Sequence, residues 1–242
     1  MEGQENKFCL LRKALYGLKQ APRAWLEGEF TKVSLYVDDL LIMGSSSIQL
    51  EKFKMAMHNE FEMTDLGEMS YFLGMEIHQS QHGIFVSQKK FANEILHKFD
   101  MDRCKPVDTL LVANLKLSKD DGAVKIDEKM YRSLIGCLLY LTATRPDLML
   151  ATSILSRFMS SPSEIHLKAT KRVLRYIKGS VELGVWFKKT KNLPLIGYSD
   201  SDRVRCINDM RSTSGYVFFL NSGAICWLSK KQDTISESIV EA

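Results

Sequence analysis

The run Tyr36-Val37-Asp38-Asp39 holds the residues best suited to chemistry. Along a strand, side chains alternate faces, so adjacent aspartates in mid-strand point apart. At the tip of a hairpin, both reach one side. Apolar runs flank the pair, Val33–Val37 before it and Leu40–Gly44 after it, which fits a hairpin. Two carboxylates at a rigid tip offer oxygen ligands to Mg²⁺, a hard ion that keeps part of its water shell. Two such ions can activate a 3′-hydroxyl and stabilise a leaving pyrophosphate. The plainer alternative is an acidic turn with no metal, and a bare Asp-Asp does not choose between them.

A second grouping lies far downstream. Within Glu164–Lys178, the residues Lys168, Lys171, Arg172, Arg175 and Lys178 recur at helical spacing, with Leu167, Thr170, Leu174 and Ile177 on another face. Between Ile165 and Lys191 the only acid is Glu182. A basic stripe with an apolar back suits a nucleic-acid phosphate backbone, and a merely solvated amphipathic face is the alternative. Other reactive types read as structural. His58, His78, His82, His97 and His166 lack metal spacing. The five cysteines are scattered and odd in number, with no C-x-x-C pair, which disfavours zinc and favours a reducing compartment. Met55, Met57, Met63, Met69 and Met75 read as core filler, and Trp186 and Trp227 as core residues of strands.

The elements that position these residues follow from pattern. A helix around Leu10–Leu18 breaks at Pro22, and Ser45-Ser46-Ser47 caps a helix running to about Phe61. Strands at Tyr71–Ile77 and Gly83–Ser87 are joined by the polar link His78–His82, and a helix at Lys89–Phe99 follows. Cys104–Lys129 reads as a polar connection, and helices are expected over Glu128–Ala143, Asp147–Met159 and Glu164–Lys178, with Pro146 and Pro162 at helix starts. The end returns to strands, with a hairpin of Tyr216–Leu220 and Ala224–Trp227 about Asn221-Ser222-Gly223, and a barely started helix at Ser236–Ala242. The class is therefore α+β. A chain of 242 residues with 45% hydrophobic and 26% charged residues buries a sizeable core and is not a mainly disordered or disulfide-scaffold protein. The net charge of +4 permits a nucleic-acid partner without arguing for one. No signal peptide or membrane span is expected.

Longer motifs carry a resemblance. Ala14-Leu15-Tyr16-Gly17-Leu18-Lys19-Gln20-Ala21-Pro22-Arg23-Ala24-Trp25, the Tyr36–Asp39 box, Phe61-Glu62-Met63-Thr64-Asp65-Leu66-Gly67 and Tyr71-Phe72-Leu73-Gly74-Met75-Glu76-Ile77 stand in one order. Tyr131-Arg132-Ser133-Leu134-Ile135-Gly136, Ala143-Thr144-Arg145-Pro146-Asp147, Ala169–Tyr176 and Ser212-Thr213-Ser214-Gly215-Tyr216 continue it. Together they closely resemble the reverse transcriptase and RNase H region of copia-type LTR retrotransposon Pol polyproteins. The resemblance implies a partial polymerase palm over residues 1–103, a helical thumb and connection over 104–190, and the first part of an RNase H-like mixed sheet over 191–242. It makes Asp38 and Asp39 metal-binding carboxylates of two-metal DNA synthesis and Asp200 the first RNase H metal ligand. It also makes Lys19, Gln20 and Arg23 a nucleotide- and template-facing motif, and Phe72, Leu73 and Gly74 the primer-end region. Implied cofactors and partners are Mg²⁺, deoxynucleotides, an RNA template, a DNA primer and an RNA–DNA hybrid. No membrane is implied, and the location is intracellular, cytoplasmic or nuclear.

Three departures temper this. Before Ala14 the chain offers Glu2 and Glu5 but no Asp for a third palm carboxylate. Trp25 reaches Tyr36 through only Leu26–Leu35, so a helix and strand expected of the family are missing, and apolar palm surface should be exposed. Arg203 stands where the family has Trp, and Glu241 matches the first of an acidic pair whose second member would lie further on. The expectation is an RNA-directed DNA polymerase by family but a chain inactive by itself. A non-catalytic nucleic-acid-binding module or an inert remnant is the alternative.

Overall fold

The computed structural model describes residues 31–113, 115–190, 193–202 and 211–233. The chain divides into two compact units, Met1–Gly67 and Glu68–Ala242. The expected helix at Leu10–Leu18, the Lys19/Gln20/Arg23 motif, Arg203, Glu241 and the expected helix at Ser236–Ala242 lie outside the described residues.

In the first unit, β1 (Thr31–Tyr36) pairs antiparallel with β2 (Asp39–Gly44), in register from Thr31 opposite Gly44 to Tyr36 opposite Asp39. Helix α1 (Ser47–Glu60) follows, with Ser46 at its N-cap position but without a side-chain capping bond. None of the described residues of this unit is buried. Ile48 and Met55 are 67% and 65% exposed. Leu50, Phe53 and Met57, at i, i+3 and i+7, share one half-buried face of α1, whereas Ile48 and Met55 lie on the opposite, exposed face. Lys54 joins Glu51 (3.1 Å) and Asp65 (3.0 Å), and Asp65 also accepts the Gly67 N–H, closing the segment after the helix.

The second unit is built on helices. Its first sheet has strand order β3-β4-β5-β6, all antiparallel: β3 (Tyr71–Phe72), β4 (Met75–Ser80), β5 (Gly83–Ser87) and β6 (Gly184–Lys188). The strand expected over Tyr71–Ile77 is thus broken. Leu73 and Gly74 both have positive φ, 50° and 76°, the conformation of a tight two-residue hairpin turn. The link expected over His78–His82 is mostly strand, with a turn only at Gln81-His82.

Helix α2 (Lys89–Lys98) begins against the Glu76 carboxylate, which accepts the Lys90 N–H at 2.6 Å and places negative charge at the positive end of the helix. An irregular connection then leads to α3 (Glu128–Leu141), whose Asp127 cap accepts from Lys129 and Met130 N–H. A 3-10 turn at Pro146–Leu148 leads into α4 (Met149–Ser156), and α5 (Glu164–Gly179) starts at a capping box of Ser163 and His166. These helices enclose the core. Ile95 and Leu96 from α2 meet Tyr131, Leu134, Leu138 and Leu141 at helical spacing on α3, Leu148 and Leu155 around α4, and Val173, Leu174 and Ile177 of α5. Each such side chain contributes about 1.5–3 kcal/mol by leaving water.

A second sheet has order β7-β8-β9, from β7 (Leu195–Asp202), β8 (Thr213–Leu220) and β9 (Gly223–Lys231). The α+β class holds. The methionine series is not core: Met55 is exposed and Met57, Met63, Met69 and Met75 are half-buried, because they fall on helix α1, in loops and on β4, all with open faces. Trp186 is also exposed, since strand alternation buries its neighbour Val185 instead. Trp227 is half-buried and donates its indole N–H to the Thr142 carbonyl (2.9 Å) at the end of α3.

Candidate functional site

The acidic pair sits on the β1–β2 turn. Val37 and Asp38 are the two turn residues, and Asp39 opens β2 opposite Tyr36. Val37 has φ 51° at the first turn position, where two-residue hairpins favour Gly. A β-branched residue there stores about 1–3 kcal/mol of backbone strain. Asp38 and Asp39 are both exposed. Ionised carboxylates only accept, so the pair suits a hard cation. Among the described residues, no group of three or more His, Cys, Asp or Glu side chains converges on a metal-sized site. The donor set at this tip is therefore two carboxylates, which fits an Mg²⁺ that keeps waters or takes further oxygens from a substrate.

Phe72, Leu73 and Gly74 form the tip of the β3–β4 hairpin. The Tyr140 hydroxyl of α3 donates to the Leu73 carbonyl at 2.7 Å. Beside it lies a cavity of about 450 Å³, lined by Tyr71, Gly74, Lys90, Phe91, Glu94 and Tyr140. The Lys90 ammonium lies 5.9 Å from the centre of the Tyr71 ring.

The basic stripe of α5 divides by role. Lys168 and Lys171 are exposed, and Lys178 is half-buried. Arg172 donates to Thr109 Oγ1 (2.6 Å), and Arg175 donates to the Lys105 carbonyl (2.8 Å) while its own carbonyl accepts the Val107 N–H. These two arginines hold the 105–109 connection onto the helix.

Asp200 is exposed on β7, opposite Gly215 of β8, and shares its sheet face with Asp202. Both line a cavity of about 330 Å³ with Met149, Leu150 and Trp227. Asp200 and the Asp38–Asp39 pair belong to different units.

Pattern reading missed two polar clusters. Arg145, nearly buried, makes a two-pronged pair with Asp147 (Nε–Oδ1 2.9 Å, Nη2–Oδ2 2.7 Å) and donates to the Ser180 carbonyl and hydroxyl. The Tyr176 hydroxyl donates to Asp147 at 3.0 Å. Burial pushes the Asp147 carboxyl up, but the Arg145 guanidinium and the Tyr176 hydroxyl outweigh it and hold the group below the usual carboxylate range. The signal was present in Arg145-Pro146-Asp147, where a proline fixes the chain between opposite charges.

The second cluster joins the connection to the start of α5. Ser163 Oγ donates to Asp121 in a short bond, His166 Nδ1 accepts the Ser163 N–H at 3.0 Å, and the His166 ring stacks on Phe158 at 3.9 Å. Burial pushes the His166 pKa below its ordinary value, against the pull of Asp121. Its Nε2 is buried, 3.8 Å from the Asp121 carboxylate.

The family model for Reverse transcriptase (RNA-dependent DNA polymerase) matches residues 26–113, which contain the hairpin with the acidic pair and the 72–74 tip. The chain is 38% identical to the Retrovirus-related Pol polyprotein from transposon RE1 of Arabidopsis thaliana, over 98% of this chain and 18% of that protein. It is 40% identical to an uncharacterized mitochondrial protein of the same plant over 86% of each chain, and 31% identical to a putative transposon Ty5-1 protein of Saccharomyces cerevisiae over 90% of this chain and 80% of that one. No solved structure matches the chain significantly. The class is that of reverse transcriptase-like proteins. Within it, the chain belongs to the family of copia-type retrotransposon Pol polyproteins and spans about a fifth of the length of the polyproteins it matches.

Proposed function

We propose that Asp38 and Asp39 are metal-binding carboxylates of an RNA-directed DNA polymerase site, and that the chain engages a primer–template duplex. The observation that carries this is a carboxylate pair presented at a hairpin tip inside the stretch matching the reverse transcriptase family. Bound Mg²⁺ would supply activation of the primer 3′-hydroxyl and charge stabilisation of the departing pyrophosphate. The protein's own part is to hold both aspartates at one hairpin tip, to offer the 72–74 hairpin to a primer end, and to present Lys168 and Lys171 to phosphates. In this reading the helices α3–α5 serve as thumb and connection. The β7–β9 sheet is RNase H-like, with Asp200 as its first metal ligand.

As an isolated chain, the 242 residues hold no Asp before Asp38. Two protein carboxylates hold a second metal weakly, so the chain is expected to bind duplex without measurable extension. Primer extension with Mg²⁺ or Mn²⁺ tests this directly. Extension by wild type that Asp38→Asn abolishes would establish the polymerase site and refute the predicted inactivity.

The α5 lysines favour a second reading, a non-catalytic nucleic-acid-binding module. Because Arg172 and Arg175 also hold the 105–109 connection, the clean charge test is Lys168→Glu with Lys171→Glu. The double variant should bind duplex more weakly and with a shallower salt dependence, by a slope of about 2. Duplex affinity indifferent to salt and to both charges counts against it.

A further inference from the structure

We propose that Tyr140 is a positioning residue for the primer-end hairpin: its hydroxyl fixes the height of the Leu73–Gly74 tip above α3. The proposal rests on the reading of Phe72–Gly74 as the element that meets a primer 3′ end.

Four observations converge on it. The Tyr140 hydroxyl donates to the Leu73 carbonyl at 2.7 Å, a contact between α3 and a turn far away in sequence. The turn leaves that carbonyl available, because Leu73 and Gly74 both take positive φ in a loop with room for only two residues. Gly74 is fitted to the tyrosine. A Cβ there would overlap the Tyr140 hydroxyl and crowd its ring, so the absence of a side chain makes the space that the hydroxyl occupies. The tyrosine is itself held. Its ring meets the Phe91 edge at 4.7 Å and 82°, and its carbonyl accepts from Gln88, whose side-chain oxygen accepts from Thr144 at 2.9 Å. Gln88 and Thr144 are both buried.

The base of the hairpin is held by the Ile77 N–H on the Ser70 carbonyl and by Lys90 over the Tyr71 ring. Strand β3 has two residues, and Tyr71 and Leu73 are 58% and 37% exposed. A two-residue strand at the edge of a sheet frays readily. At the tip itself, the Tyr140 hydroxyl ties the Leu73 carbonyl to α3. Tyr140 need not touch nucleic acid to do this. Its effect should appear for substrates that reach the tip and be absent for those that do not.

The test uses the full 242-residue chain and Tyr140→Phe, which removes only the hydroxyl. Amide exchange over 71–76 is measured with affinity for two DNA–RNA duplexes of equal length, one with a recessed primer 3′ end and one blunt. Tyr140→Phe is expected to speed exchange at the tip about five- to tenfold, the worth of one neutral hydrogen bond. It should weaken binding of the recessed duplex by a similar factor and leave the blunt duplex unchanged. Gly74→Ala should give the same selective loss, and should cost less in the Tyr140→Phe background, since part of its clash is with the removed hydroxyl. Unchanged tip exchange in Tyr140→Phe, or equal weakening of both duplexes, overturns the inference while leaving the family reading in place. A wild-type chain that binds neither duplex, or does not distinguish them, overturns the reading of 72–74 and the inference with it.

Discussion

The pair Arg145–Asp147 allows a stability prediction worked from geometry. Arg145 keeps only 4% of its side chain in water and Asp147 keeps 32%. Replacing Asp147 by Ala removes two charge-assisted bonds from a buried guanidinium that then keeps Ser180 and the face of the Tyr176 ring. Breaking a buried pair from one side costs about 3–5 kcal/mol. The partial exposure of Asp147 places the expected loss near about 3 kcal/mol. At about 2–4 °C per kcal/mol for a chain of this size, the melting temperature should fall by about 6–12 °C. Far-UV circular dichroism on heating, with urea titration as a second probe, reads this. The double variant Arg145→Met/Asp147→Leu should recover most of the loss, because no charge is left stranded. The sign with pH is fixed as well. The Asp147 carboxyl is held below its ordinary 3.8, so its contribution is complete above that value and fades as pH falls through the lower folded pKa. A drop of less than about 2 °C for Asp147→Ala, or a double variant worse than either single, would refute the reasoning.

Further outcomes follow from the same interior. Burial holds His166 below its ordinary 6.5, so the unfolded chain takes up a proton first, and stability should decline as pH falls below about 6.5. Thermal melts between about pH 7 and about pH 5 should show that decline, and His166→Gln should flatten it. Tyr131 donates to the buried Leu155 carbonyl, and burial pushes its hydroxyl up to about 12. Tyr131→Phe should cost about 0.5–1.5 kcal/mol by urea unfolding, the net worth of that one bond, since the Leu155 carbonyl keeps the Phe158 N–H. Trp227→Phe removes the bond to the Thr142 carbonyl and should raise amide exchange in β9 with a loss of about 1 kcal/mol.

Much of the helical layer could be read in advance because its information is local. The helices expected over Glu128–Ala143 and Glu164–Lys178 lie within a few residues of α3 and α5, and Pro146 opens the turn into α4 as expected of a helix start. The acidic hairpin was legible for the same reason, as two apolar runs with a pair of acids between them. What escaped was set by distant partners. Leu73-Gly74 lacks the Asn-Gly or Asp-Gly signature of a tight turn, and its conformation is supported by Tyr140 across the fold. Arg172 and Arg175 looked like companions of Lys168 and Lys171, yet their bonds run to a connection that no helical period can reveal. Helix α1 was legible as a helix, but its apolar residues divide between opposite faces, and no described residue there is buried.

That last feature bears on the order in which the chain folds as it is made. Residues 31–67 precede the core helices in the chain, and none of them is buried. The interior runs from Ala92 to Ile177, and its helices α3, α4 and α5 are neighbours in sequence, joined by short links. Contacts between near neighbours form fast, because little chain entropy is lost in closing them. The acidic tip is therefore synthesised before any helix of the core. Its strained valine stands on a hairpin whose unit buries none of its described residues.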